Sequence, residues 1–191
     1  ENKQLENIID IAQENLDNAR RSVEKLNEDL SDLREVYDAQ DKEGLVLWNN
    51  AAAQLEENKR NVLRCEKARK KPYFGRIDFK DPKQKDEEAY YIGRVGIAKN
   101  ASEPVVIDWR APIASVYYEN SLGPCKYTVS SEGTFEIDLK RKRTYEIADD
   151  KLVDFFDSDV VANDELLTKY LAKNKKAVLG EIIATIQQEQ N

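Results

Sequence analysis

Several groups of side chains in this sequence are able to do chemistry. Asp38, Asp41 and Glu43 lie within six residues, with Glu35 one helical turn earlier. Clustered carboxylates can reach a metal ion or a basic channel in a partner. They also solvate turns and favour the start of a following helix, and that blander role is the favoured one from the residues alone. In Ile107-Asp108-Trp109-Arg110-Ala111-Pro112 an acid and a guanidinium sit two residues apart. On a strand such a pair shares one face, where it forms either a catalytic or ligand-clamping pair or an ion pair that steadies a loop; the second is favoured. The run Lys140-Arg141-Lys142-Arg143 has the charge to hold nucleic acid. Strand alternation divides it over two faces, and without a larger basic field its expected role is to guard an edge strand against aggregation. The chain ends in Gln187-Gln188-Glu189-Gln190-Asn191, whose amides both donate and accept hydrogen bonds.

Composition narrows the chemistry. Among 191 residues there is no histidine, so the usual general base and the commonest zinc ligand are missing. Zinc-hydrolase and Ser-His-Asp readings are thereby set aside. Cys65 and Cys125 form no spaced pair, which fits free thiols in a reducing cytoplasm. No apolar run approaches the ~18 to 20 residues that span a bilayer, and no signal-peptide core opens the chain. Charged residues make up 35%, which points to a long solvated helical element joined to a smaller packed body. The formal net charge of −7 is unevenly spread, with 13 acidic and 6 basic side chains in residues 1–50 but 3 acidic and 7 basic in residues 51–72. No dominant basic stripe emerges, so duplex binding is disfavoured.

The elements that must position these groups are legible from periodicity. Leu5, Ile9, Ala12, Leu16, Ala19, Val23, Leu26, Leu30, Leu33 and Tyr37 alternate steps of four and three without Gly or Pro. That heptad seam predicts a helix over about residues 3–39, roughly 55 Å long at 1.5 Å per residue. After a polar stretch to Gly44, Trp48, Ala51 or Ala52, Leu55, Asn58, Val62 and Cys65 continue the spacing until Pro72. Two such helices joined by a short loop most simply fold back as an antiparallel coiled-coil hairpin, which gives Trp48 and Leu55 a place to be buried. An intermolecular dimer through the first helix is the competing arrangement. Tyr37 and Trp48 flank the tip as core caps or as a contact surface, with core favoured.

From Tyr73 the pattern changes to short alternating runs. Strands are expected at residues 73–79, 89–97, 105–109, 115–119, 126–130, 134–147 and 151–156. The 134–147 run is long enough to bend or to serve as two strands. Short turns between successive runs imply a mostly antiparallel sheet or partial barrel. Two helical segments are expected at residues 164–173 and 177–190. The expected fold class is α+β: a coiled-coil arm over residues 1–72, a small β-rich domain over 73–160, and helices over 161–191.

Several segments in order resemble the N-terminal region of HelD-type proteins: Pro72-Tyr73-Phe74-Gly75-Arg76-Ile77-Asp78-Phe79, Tyr91-Ile92-Gly93, Ile107-Asp108-Trp109-Arg110-Ala111-Pro112, Leu139-Lys140-Arg141, Asp164-Glu165-Leu166-Leu167 and the closing Ile183–Asn191 run. These are superfamily 1, UvrD/Rep-like helicase-related ATPases that bind bacterial RNA polymerase and release it from stalled complexes; helicase IV is a more distant relative. The resemblance covers most of residues 72–191, and the first 71 residues match in kind, as a coiled coil. It implies an arm inserted into the polymerase secondary channel. Asp38, Asp41 and Glu43 are then the partner-binding candidates at its tip.

The resemblance also makes Gln190 the adenine-reading glutamine that precedes a phosphate-binding loop. The sequence ends before that loop, so ATP and Mg²⁺ are expected for the parent protein and no cofactor or catalytic residue for this piece. A cytoplasmic, monomeric interaction module is expected, with nucleic acid reached only through the parent motor. The alternatives are an accessory domain of an ATP-dependent DNA repair helicase and a coiled-coil dimerisation module.

Overall fold

The computed structural model describes residues 1–37, 41–119 and 122–157. Two long helices come first: α1, Asn2–Val36, and α2, Lys42–Lys70. Neither contains proline, and the only glycine, Gly44, lies in the first turn of α2. Asp41 caps α2 by accepting the backbone N–H of Glu43 at 3.0 Å, and Lys67, Arg69 and Lys70 meet the negative end of the helix dipole. The helices pack against each other as the expected hairpin. Leu5, Ala12, Leu16, Ala19 and Leu30 of the seam are buried in α1, as is Leu55 in α2.

The seam is not the whole of the apolar surface. Ile8 lies off the four-three pattern and is fully buried. It belongs to a core in which Leu5, Ile8 and Ala12 of α1 and Ala68 of α2 meet a sheet. At this end α1 therefore carries two apolar stripes, one for α2 and one for the body.

That sheet has seven strands: β1 Gly75–Lys80, β2 Glu87–Gly93, β3 Ile97–Asn100, β4 Glu103–Asp108, β5 Gly123–Val129, β6 Gly133–Ala148 and β7 Lys151–Asp157. Its order is β3-β4-β2-β1-β6-β5, with β7 also paired to β6. All pairings are antiparallel except β2 with β4, where Tyr91, Ile92 and Gly93 face Val106, Ile107 and Asp108. Parallel neighbours need a return segment between them. Here β3 supplies it, running back along the outside of β4. Residues 89–97, expected as one strand, are thus the end of β2, a bend at 94–96 and the start of β3. Gly93 is required at the end of β2, because an added Cβ would stand 2.4 Å from the carbonyl oxygen of Pro72.

β6 is a single strand of 16 residues that serves two neighbours on one side, β5 along Gly133–Leu139 and β7 along Arg143–Ala148, with β1 on the other. The β6–β7 turn places Asp149 and Asp150 at positive φ, the geometry of the tight hairpin turns that Asp tolerates. One expected strand is replaced by helix: Pro112–Ala114 form a 3₁₀ turn and Ser115–Glu119 a short helix, α3. Pro112 presets the turn, and Ser115 Oγ donates to its carbonyl at 2.7 Å. Val116 and Tyr117 are adjacent and both buried, which a strand with one solvated face cannot achieve.

The sheet lies between two cores. Tyr73, Tyr91, Ile97, Val106, Tyr145 and Ile147 face the hairpin base. Ile77, Phe79, Ile92, Ile137 and Leu139 face the α3 segment, where the Tyr117 hydroxyl and Thr144 Oγ1 lie 2.6 Å apart. The helical segments expected at 164–173 and 177–190 lie outside the described residues.

Candidate functional site

The hairpin has a fixed end and a projecting end. At the fixed end Asn15 Nδ2 donates to the Ala98 carbonyl at 3.0 Å, and Arg69 pairs with Asp150 at 2.7 Å. Glu1, at the start of α1, enters a charge network on the sheet. Its carboxylate accepts from Arg143 and, at 3.0 Å, from the Tyr145 hydroxyl. Arg143 also grips Asp157 of β7 through two bonds at 2.7 and 3.0 Å, which holds that carboxyl below its usual range against the opposing effect of burial. Arg76 and Arg141 converge on Asp78, which is buried. Burial pushes the Tyr145 hydroxyl well above the ordinary tyrosine range, and the neighbouring Tyr91 and Glu1 add to it.

This network disposes of the basic run. Lys140 pairs with Asp138, Arg141 with Asp78, and Arg143 with Glu1 and Asp157, while Lys142 lies over the Tyr117 ring. The division over two faces holds. On one side the run faces β1, and on the other it spans the gap between β5, whose pairing ends opposite Leu139, and β7, whose pairing begins opposite Arg143. Three of the four cations pair with carboxylates of the body itself, and Lys142 rests on one of its rings.

Asp108 and Arg110 form a closed local clamp at the end of β4. Asp108 accepts the Arg110 backbone N–H at 2.8 Å and its guanidinium at 3.0 and 2.8 Å. Burial works to raise the Asp108 carboxyl, and the Arg110 hydrogen bonds outweigh it, leaving it below the usual carboxylate range. The pair steadies the turn into Pro112, as the loop-stabilising reading expects. Among the described residues no group of three or more His, Cys, Asp or Glu is placed to hold a metal ion.

At the projecting end, Tyr37 closes α1 with its N–H on the Leu33 carbonyl at 3.1 Å. Its side chain lies against Gly44, where an added Cβ would come within 2.6 Å of the Tyr37 Cβ and 2.7 Å of the ring. The close approach of the two helices at the tip thus depends on Gly44. Arg34 stacks over Trp48 with 5.8 Å to the ring centroid, so the indole caps the seam from beneath a cation. Asp41 and Glu43, two residues apart, are exposed, and Asp41 is already engaged as the α2 cap. Asp38 and Gln190 lie outside the described residues.

The tip also carries apolar side chains that face solvent. Val36, Leu45, Val46 and Leu47 are 40% to 74% exposed. The signal was present in the sequence: of five consecutive residues from Gly44 to Trp48, a helix can turn only one stripe toward α1. The tip thus carries exposed apolar side chains on both helices as well as the exposed carboxylates of Glu35, Asp41 and Glu43, about 30 Å beyond the last polar bond to the body at Asn15, at 1.5 Å per residue.

The family model described as DNA helicase IV HelD, N-terminal domain, matches residues 1–172. No curated protein matches the chain.

Proposed function

The chain belongs to the family of the HelD N-terminal domain of DNA helicase IV, and on that premise we propose that it docks a helicase-like ATPase onto bacterial RNA polymerase. In this reading the hairpin enters the secondary channel, and the parent motor uses ATP and Mg²⁺ to help release stalled complexes. Gln190 then contributes adenine recognition once the phosphate-binding loop of the parent is present. Any nucleic acid is engaged by that motor and not by the body described here.

The observation that carries the proposal is the contrast in anchoring. The base of the hairpin is fixed by a packed core and by polar bonds, while the rest of it projects as a stiff two-helix rod. A rod held at one end suits a probe that must reach into a channel. Pairing of Lys140, Arg141 and Arg143 with carboxylates of the body removes most of the basic feature that would favour a nucleic-acid arm.

The test is capture of core RNA polymerase by the immobilised chain, with the hairpin tip removed in parallel by replacing residues 35–47 with a short Gly-containing turn. Retention by the intact chain and loss on shortening is the expected outcome. Equal retention by both forms overturns the docking role of the arm. Tight, salt-sensitive duplex binding in place of polymerase binding would move the chain to the repair-helicase accessory class. Light scattering on the eluted peak is expected to give a monomer, and a stable dimer would favour a dimerisation module.

A further inference from the structure

We infer that the aromatic end of the α3 face of the sheet, where Tyr90, Tyr127 and Phe135 meet Asp81, Glu88 and Glu132, is a latch for a basic segment of this same chain, residues 166–176. The inference goes beyond the polymerase-docking reading and does not rest on it.

The sheet places the rings together. Tyr127 and Phe135 face each other across β5 and β6 and stack with centroids 5.3 Å apart. Two residues along the same ladder, Cys125 and Ile137 are buried in the α3 core, so the stacked pair lies on that face. Tyr90 of β2 packs on the same core, 5.2 Å from the buried Phe79 ring, and its hydroxyl donates to Glu88 at 3.2 Å. The 3₁₀ turn and α3 cover the other end of this face, where Tyr117 lies over Gly75 and meets Thr144. Tyr90, Tyr127 and Phe135 are left half-buried. Burial pushes the Tyr127 hydroxyl up, and Asp81, Glu88 and Glu132 add to the push. Carboxylates from two turns and a strand therefore bear on one ring. Lys83 and Lys85 of the β1–β2 loop are exposed and offset part of that charge.

Charge and apolarity together select the occupant. Aromatic faces among carboxylates attract ammonium groups, and the lysine stem packs along the ring. Residues 166–176, outside the described residues, carry Lys169, Lys173, Lys175 and Lys176 beside Leu166, Leu167 and Leu171, with no acid between them. The family match runs on to residue 172, past the end of β7 at Asp157, so the start of this segment belongs with the sheet. The segment also reaches. Asp157 pairs with Arg143, and from there to Phe135 along β6 is about 26 Å at 3.3 Å per residue. Residues 158–168, extended, cover up to roughly 36 Å. Being joined in one chain gives the two parts a high effective concentration, which a basic partner in trans would have to overcome. The same carboxylates repel nucleic-acid phosphates and an anionic bilayer. Once engaged, the latch fixes whatever follows residue 176 in the parent relative to the sheet that carries the hairpin.

The test is hydrogen exchange of the 191-residue chain, read by mass spectrometry on peptides covering residues 166–176. Combined Asp81→Asn, Glu88→Gln and Glu132→Gln removes the charges while keeping side-chain size and the acceptor for Tyr90. Circular dichroism is expected to show an unchanged unfolding transition. In that variant the segment should exchange at least about tenfold faster than in the parent chain at low salt, with the difference shrinking at high salt. Glu35→Gln with Glu43→Gln, which removes two carboxylates from the hairpin tip, should leave the exchange within about twofold of the parent chain. Equal exchange in the parent chain and the triple variant overturns the inference. So does equal acceleration by the tip variant, which would make overall charge the cause. Protection that rises with protein concentration would make a second copy the occupant and overturn a latch within one chain. With no polymerase in the experiment, each of these failures leaves the docking reading standing.

Discussion

The two ends of the hairpin are made from the same pair of helices and obey opposite rules. At the base, apolar side chains are buried in a three-layer stack of α2, α1 and sheet, and the charges around them are paired. At the tip, Val36, Leu45, Val46 and Leu47 are exposed, and so are the carboxylates of Glu35, Asp41 and Glu43. A coiled coil with only two helices buries a single seam, so Val23, Leu26 and Leu33 remain half-buried along the shaft. Extra burial at one end and extra exposure at the other therefore mark functions beyond helix pairing. The base is an anchor, and the tip is where the proposed partner contact would lie.

The sharpest way to break the comparison is at Ile8. Ile8→Ala opens a cavity in the core between α1 and the sheet and should cost about 2–5 kcal/mol in denaturant unfolding. If the base were no better anchored than the shaft, the cost would match that of Leu26→Ala, which sits in the half-buried seam and should lose distinctly less.

Arg143→Met comes next. It leaves the carboxylates of Glu1 and Asp157 without their shared partner, and partial exposure brings the expected cost to about 1–3 kcal/mol. The pH dependence of the same network has a defined sign. Asp157 is held below its unfolded value, so its contribution is complete above about pH 4 and is lost as pH falls through the lower folded value. Asp157→Asn should accordingly lower the melting temperature at neutral pH. The gap to the parent chain should close in acid, and a gap constant from pH 7 to pH 2 would show that the network is not what stabilises β7.

Asp41→Ala should cost about 0.5–2 kcal/mol through loss of the α2 cap, with helix content falling slightly by circular dichroism. The smallest effect on stability belongs to the apolar residues of the tip. Leu45→Gln and Val46→Gln should each change unfolding free energy by less than about 0.5 kcal/mol, since each side chain is more than half exposed. A larger loss would mean that the tip is part of the core after all.

How far the sequence carried depended on how local the deciding interaction was. The hairpin was legible because a heptad seam records a partner helix in the spacing of one strand of sequence. Ile8 was not, since its partner is a sheet more than sixty residues later and leaves no periodic trace in α1. The strands from 73 onward were legible by alternation. Residues 115–119 were misread because Ala114 and Val116 mimic period two, and only the burial of adjacent Val116 and Tyr117 reveals the helix. The Lys140–Arg143 run was correctly divided over two faces, yet its role as an internal counter-charge required knowing that Asp78, Asp138, Asp157 and Glu1 arrive beside it. At the acidic tip, the helix-start role favoured from the residues alone is the one Asp41 fills as the α2 cap, whereas the exposure of Leu45, Val46 and Leu47 beside it depends on where α1 lies.

By itself, then, the sequence determined the class of the protein: an α+β chain with a helical hairpin at the front and short strands behind it, because side-chain period is a local property of helices and strands. The tertiary structure alone decided which end of that hairpin is fixed, which cations are spent on internal pairs, and which apolar residues are left facing out. Each of those is a question of what lies across a contact, and residues far apart in the chain meet only when it folds.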